Sequence, residues 1–310
     1  MHEHACPGVT VWPVIENPSL MQVDEFTPER LQVLAQADVA RALEEDVGAG
    51  DLTAALIDPD RKARARVLAR EPAVLCGRPW VQVAVAALDP QARCVWHVPE
   101  GGRCEANQVV LEIEGHAQAL LTAERTALNF MQMLSAVATQ TATYVQAVAG
   151  TRAQIVDTRK TLPGLRLAQK YAVQCGGGVN HRLGLYDAVL IKENHIAAAG
   201  GVEAVLRRVW ETSPQAKFVQ IEVETLAQME EALAAGARML LLDNMDLPTL
   251  REAVRINAAH PKGSAVLEIS GGVNLGTVRA LAETGVDRIS IGALTKDVKA
   301  IDFSMRFDTF

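Results

Sequence analysis

Two textures of apolar and polar positions divide the chain. Up to about residue 150, helical and alternating stretches are mixed. From Pro28, the run LQVLAQADVARALEEDV places apolar residues every three or four positions, which predicts an amphipathic helix. Gly48 and Gly50 supply its stop. Residues 63–75 alternate and predict strand, and a helix is expected around 79–88. The stretch CVWHVPEGGRCEANQVVLEIEGHA (94–117) reads as short strands broken by turns at its Gly-Gly and Ala-Asn pairs. From Leu120 a long helical stretch follows, and the domain boundary is placed within it. The organisation expected is an arm at 1–26, an N-terminal α+β domain at 27–133 and a second domain at 134–296.

After Gly150, short apolar runs recur between helical stretches. The strand candidates are 153–157, 187–192, 218–223, 239–243, 266–270 and 288–292. Near-continuous apolar runs fit parallel strands buried on both faces, and their alternation with helices predicts a parallel α/β architecture. Nearly every run ends in polar residues or glycine. Asp157 to Lys160, Lys192 to His195, Glu222 with Glu224, Asp243-Asn244, Ser270 to Gly272, and Gly292 stand at these ends. A barrel brings all such ends to one mouth, whereas an open sheet concentrates its site at one switch point. An α/β barrel with six or seven strands, incomplete by the usual count of eight, is therefore expected.

Composition then narrows the function. A chain of 310 residues that is 49% hydrophobic can bury a large core. Its net charge of −7 argues against general nucleic-acid binding. The five cysteines are odd in number and form no CxxC pair, so neither a disulfide framework nor a zinc site is expected. No apolar run is long enough for a membrane span, and no signal peptide is evident. A cytoplasmic protein is expected. His2, His4 and Cys6 near the start read as part of a frayed terminus.

Within this acidic chain, Arg159, Lys160, His181, Arg182 and Lys192 gather at or just after strand ends. Converging cations need anionic partners, because unpaired buried charge is costly. Arginine suits bidentate recognition of carboxylate or phosphate. Ser270, Gly271 and Gly272 end a strand within SGGVN (270–274), which is expected to open the helix LGTVRALAE (275–283), a place where backbone N–H groups favour phosphate. Gly292 ends the last strand in a similar way. Glu222 and Asp243 end successive strands and are candidate Mg²⁺ ligands, with Glu224 as a third. The glycine-rich CGGGVN (175–180) is not a dinucleotide fingerprint, and Cys175 reads as a packed thiol.

Several segments resemble quinolinate phosphoribosyltransferases: EEDVGAGDLT (44–53), AERTALNFMQMLSAVAT (123–139), DTRKTLPGLRLAQKYAVQCGGGVNHRLGLYD (157–187), IKENH (191–195), LLLDNM (240–245), LEISGGVN (267–274) and ISIGALT (289–295). The resemblance implies an N-terminal α/β sandwich joined to an incomplete α/β barrel, with the tail 297–310 packing back on the first domain. It implies transfer of phosphoribosyl from phosphoribosyl pyrophosphate to quinolinate, with decarboxylation, and homodimers or larger assemblies. Arg125, Arg159, His181, Arg182 and Lys192 would bind quinolinate, Arg125 acting in the partner subunit's site. Lys160 would lie near phosphoribosyl pyrophosphate. Glu222 and Asp243 would serve Mg²⁺ and the ribose, and Ser270, Gly271, Gly272 and Gly292 the 5′-phosphate. Lys296 stands where some members carry histidine. Rival readings of the same residues are a transferase for another base such as nicotinate, a non-catalytic anion-binding barrel, and an aldolase using Lys192.

Overall fold

The computed structural model describes residues 26–262 and 264–308. The arm assigned to 1–26 therefore lies outside the described residues except for Phe26, as do His2, His4 and Cys6. The first helix, α1 (Pro28–Val47), starts where the pattern places it. Thr27 caps it by accepting the Arg30 amide, and Pro28 supplies a preset φ at the first turn.

The N-terminal unit is built on an antiparallel sheet of four strands, β1 (Lys62–Ala69), β3 (Arg93–Trp96), β5 (Val109–His116) and β12 (Phe303–Phe307), in the order β12-β1-β5-β3. Strand β12 comes from the end of the chain and pairs with β1 from Ala65↔Phe307 to Ala69↔Phe303. The alternating run 63–75 is not one strand. It breaks after Ala69, and a short β2 (Ala73–Val74) pairs instead with β4 (Arg103–Cys104). Pro72 explains the break, since it has no N–H to give a ladder. Against this sheet lie α2 (Arg78–Leu88) and α3 (Ala117–Ala147). The 31 residues of α3 span about 46 Å at 1.5 Å per residue, so one helix serves both units.

The second unit contains β6 (Gln154–Val156), β7 (Val189–Ile191), β8 (Val219–Val223), β9 (Met239–Asp243), β10 (Val266–Ser270) and β11 (Arg288–Ser290). All are parallel, in the order β6-β11-β10-β9-β8-β7. The barrel is thus six-stranded and incomplete: β6 and β7 are edges that do not pair. Val179 lies beside the free edge of β6, donating to the Ile155 carbonyl at 2.8 Å and accepting the Asp157 amide at 3.2 Å. Helix α4 (Arg166–Cys175) packs chiefly on α3, followed by α5 (Glu193–Ala199), α6 (Val202–Thr212), α7 (Leu226–Ala234), α8 (Leu247–Ala259), α9 (Val278–Ala282) and α10 (Ala293–Lys296).

The glycine triplet after α4 is a packing requirement. A Cβ at Gly176 would stand 2.4 Å from the Ala138 carbonyl oxygen, and one at Gly178 2.7 Å from the Thr141 methyl. Only glycine lets this turn approach the backbone of α3 so closely. Most buried apolar residues of the two units form one continuous cluster, and Ala188, Phe218, Met239 and Val266 form a smaller one. Trp80, fully buried, stacks on Phe130 and meets Tyr171 of α4 across the join. No helix among the described residues is long and apolar enough to cross a membrane.

Candidate active site

The C-terminal ends of the barrel strands surround a cavity of about 360 Å³. It is lined by Thr158, Arg159 and Lys160 after β6, by His181 and Arg182 after α4, by Leu190 and Lys192 at β7, by Glu222, by Leu241 and Asp243, by Glu268, Ser270 and Gly271, and by Ser290. Ten of the cations, acids and small residues expected from the sequence therefore meet in one place: Arg159, Lys160, His181, Arg182, Lys192, Glu222, Asp243, Ser270 and Gly271 line it, and Gly292 borders it. A Cβ on Gly292 would come within 3.0 Å of the Lys160 side chain.

Strand parity explains the convergence. Side chains two apart on a strand share a face, so Gln220 with Glu222, Leu241 with Asp243, Glu268 with Ser270, and Arg288 with Ser290 all fall on one side of the sheet. Register aligns them: Glu268 lies opposite both Leu241 and Arg288, Glu222 opposite Leu241, and Ser270 opposite Asp243.

The mouth carries unbalanced positive charge. Lys192 Nζ sits 3.1 Å from Glu222 Oε2. Among the described residues, no ion pair joins Arg159, Lys160 or Arg182 to a carboxylate. The Nε of Arg159 is buried without a hydrogen-bond partner. Partial burial lowers the pKa of Arg182, and the neighbouring Arg159 guanidinium lowers it further. Two guanidiniums that repel each other in a half-buried pocket are arranged for an anion.

His181 is buried, and both of its ring nitrogens are engaged. Nδ1 accepts the Arg182 amide at 2.8 Å, and Nε2 faces Gln220 Oε1 at 2.8 Å and Glu268 Oε1 at 3.5 Å. Burial lowers its pKa below the ordinary value, partly offset by Glu268. The His181 amide donates to Asp157 Oδ1, and Asp157 also holds Asn180 and the fully buried Lys170. Desolvation lowers the Lys170 pKa against the pull of Asp157.

Other expectations are not met as stated. Helix α9 does not begin at Leu275, where the run LGTVRALAE places it. It starts at Val278 and is five residues long, because Asn274 ties down Gly276 and Thr277 in a turn. Gly271 and Gly272 instead adopt left-handed φ of 96° and 59°, so the loop bends sharply at the mouth without a helix end behind it. Gly272 is exposed and lies just beyond the residues that line the cavity. Glu224 is exposed past the end of β8 and stands outside the cavity. Lys296 is exposed beside Asp297, 3.7 Å away, and also lies outside it. Arg125 is exposed on α3 and contributes nothing to the mouth of its own chain.

Thr158, Gln220, Glu268 and Ser290 belong to the site or its floor but were not singled out. For Gln220, Glu268 and Ser290 the signal was a polar residue inside an apolar run, whereas Thr158 stands within the polar strand end 157–160. Asn244, next to Asp243, has a φ of 53°, unusual for a non-glycine residue and common at functional strand ends. Among the described residues, one trio of metal-type ligand atoms lies close together: Cys76, Glu100 and Cys175, at the join of the two units. Glu100 already accepts the amides of Gly77 and Arg78 and so caps α2. Cys175 is thus packed, as read from the sequence, against a second thiol.

Comparison with known proteins accords with this geometry. The model of the N-terminal domain of quinolinate phosphoribosyl transferase matches residues 51–135, and that of its C-terminal domain residues 137–306. Nicotinate-nucleotide pyrophosphorylase (carboxylating) of Mycobacterium leprae is 42% identical over 87% of this chain and 96% of its own length. A Bacillus subtilis protein described as a probable enzyme of the same name is 38% identical over 84% of this chain and 89% of its own. The solved nicotinate-nucleotide pyrophosphorylase of Francisella tularensis superposes with a TM-score of 0.86 at 40% identity, covering 92% of this chain and 98% of that one. Human nicotinic acid phosphoribosyltransferase, at 13% identity and a TM-score of 0.54, shares the fold alone. With both domain models matched end to end and relatives this similar over most of its length, the chain belongs to the quinolinate phosphoribosyltransferase family.

Proposed function

We infer that the chain transfers the phosphoribosyl group of phosphoribosyl pyrophosphate to quinolinate, giving nicotinate mononucleotide, CO₂ and pyrophosphate, a step of de novo NAD biosynthesis. One observation carries the assignment to this site: Arg159 and Arg182 face the same cavity with no carboxylate partner, beside Lys160 and Lys192 and opposite Glu222 and Asp243. Quinolinate brings two carboxylates to meet the cations, and phosphoribosyl pyrophosphate brings phosphates and hydroxyls to meet the rest.

In this reading Arg159 and Arg182 take the quinolinate carboxylates and orient the ring, with His181 supporting them. Lys192 joins them at the carboxylates, Lys160 neutralises phosphate oxygens, and Glu222 and Asp243 accept hydrogen bonds from ribose hydroxyls. Ser270, Gly271, Gly272 and Gly292 form the bend that takes the 5′-phosphate. The pyridine nitrogen attacks C1′ as the C1′–O bond to pyrophosphate breaks. The electron pair of the bond to the C2 carboxylate then stays at C2, stabilised by the cationic ring, as CO₂ leaves, and C2 takes up a proton from water. No side-chain nucleophile is required; orientation and charge do the catalysis.

The donor set suits Mg²⁺. Among the described residues, Lys192 meets Glu222 through Oε2 and Asn244 donates to Asp243 Oδ2, which leaves Oε1 and Oδ1 for a cation, and Mg²⁺ favours one or two carboxylates together with phosphate oxygens and water. Bound there, it would neutralise the departing pyrophosphate. The protein works as a homodimer or larger assembly in this reading, with Arg125 delivered to the partner's mouth. The exposed Leu52 and Leu56 support an apolar interface near it, because Asp51 joins that segment to Thr122, one turn from Arg125 on α3. Free thiols at Cys76, Cys94, Cys104 and Cys175 suit the cytoplasm.

The test is CO₂ release from carboxyl-labelled quinolinate, with phosphoribosyl pyrophosphate and Mg²⁺ each added or withheld. Release that needs both substrates is expected. Consumption of phosphoribosyl pyrophosphate with nicotinate but not with quinolinate would overturn the substrate.

A further inference from the structure

Just beneath the mouth, the barrel interior departs from the usual filling of branched apolar side chains. Glu268 and Arg288, both fully buried on adjacent strands, pair at 3.1 Å. Gln220, also fully buried, lies beside them on the same face. Replacing such a buried pair by apolar residues of similar volume is often neutral or stabilising, so stability alone does not account for it. These groups converge on one ring. Glu268 Oε1 and Gln220 Oε1 face His181 Nε2, Phe218 meets the ring edge-on at 5.3 Å, and Asp157 takes the His181 amide. On the far side of the ring, Nδ1 accepts the Arg182 amide, which requires Nδ1 to be unprotonated and the proton to sit on Nε2.

We propose that Glu268 is a positioning residue for the transfer reaction: held by Arg288 and aided by Gln220, it fixes the His181 ring in one orientation and one tautomer, and the ring fixes the main chain that carries the Arg182 guanidinium. The proposal rests on the reading of Arg159 and Arg182 as the groups that bind the substrate carboxylates. Glu268 lines the cavity floor, but its proposed role is on the histidine and not on the substrate. It acts through His181, so its loss should be felt by quinolinate and not by phosphoribosyl pyrophosphate. An apolar layer would fill the space but leave the imidazole free to turn.

The experiment compares the wild-type enzyme with Glu268→Gln, with the double variant Glu268→Gln/Arg288→Met, which leaves no orphaned charge, and with the uncharged change Gln220→Leu. The KM for quinolinate should rise roughly tenfold, as for lost outer partners of other ligating histidines, while the KM for phosphoribosyl pyrophosphate stays within about twofold. Combining Glu268→Gln with His181→Ala should raise the quinolinate KM no further than His181→Ala alone. Ring ¹⁵N shifts should show His181 protonated on Nε2 in the wild type and averaged between tautomers in the double variant. A folded double variant with an unchanged quinolinate KM, or multiplicative effects of Glu268→Gln and His181→Ala, would sink the proposal. Should the wild type turn over no quinolinate, the substrate reading fails, and unaltered ¹⁵N shifts across the variants would separately overturn the clamp.

Discussion

Lys192 and Lys170 each stand beside a carboxylate, and the two pairs obey opposite rules. Lys192 meets Glu222 at the mouth of the barrel with its side chain 49% exposed, while Lys170 meets Asp157 with both side chains fully buried. The mouth holds an excess of cations with loose or missing partners. The floor balances every charge internally: Asp157 with Lys170, and Glu268 with Arg288. Charge at the floor fixes geometry, and charge at the mouth waits for a ligand. Stability and activity should therefore separate between the two regions.

The sharpest test removes one partner at each level. Lys170→Met leaves Asp157 charged in a dry interior and should destabilise the fold by about 3–5 kcal/mol, read as a lowered denaturation midpoint. Lys192→Met should shift stability by no more than about 1 kcal/mol, because its pair is half-exposed and screened. Comparable losses at both sites would break the distinction. Next in size, Arg159→Ala should lower kcat/KM for quinolinate about a hundredfold or more, the loss of roughly 3 kcal/mol expected when one partner of a desolvated charge contact is truncated. Its melting temperature should hold or rise, since the repulsion with Arg182 is relieved.

Subunit mixing extends the comparison across chains. Arg125→Ala and Lys160→Ala should each be nearly inactive alone. Mixed and allowed to exchange, they should recover activity, because one hybrid mouth then has both residues intact. No recovery in proven hybrids would place Arg125 outside the partner's site.

The smallest effect concerns pH. Burial lowers the His181 pKa, so between that value and about 6.5 the unfolded chain binds more protons than the folded one. This contribution is present above pH 6.5 and lost as the pH falls through the window. The acid-side slope of stability should be shallower in His181→Asn, measured by denaturant titration at several pH values.

Much of this was legible in the sequence, for a physical reason. Parallel strands buried on both faces leave little place for polar groups except at their ends, so Arg159, Lys192, Glu222, Asp243 and Ser270 stood out against apolar runs. Gln220, Glu268 and Arg288 hide inside those runs, where only strand parity and register show that they share the inner face. The short α9 could not be read from periodicity, since the residues after Gly272 are helix-compatible and the Asn274 turn decides otherwise. Arg125 is a different kind of case. On the reading proposed above it would serve another chain, and such a residue leaves no mark in its own mouth.

Strand β12 also bears on how the molecule is made. It is the edge partner of β1, yet it is synthesised only after every strand of the barrel. On the ribosome, N-terminal domains usually fold first, as units. Here the sheet begun earliest must wait with an open edge until the barrel has been produced, and an open edge invites pairing with other chains. A nascent chain stalled before Phe303 would leave that edge bare, so β12 acts as the seal on the first sheet.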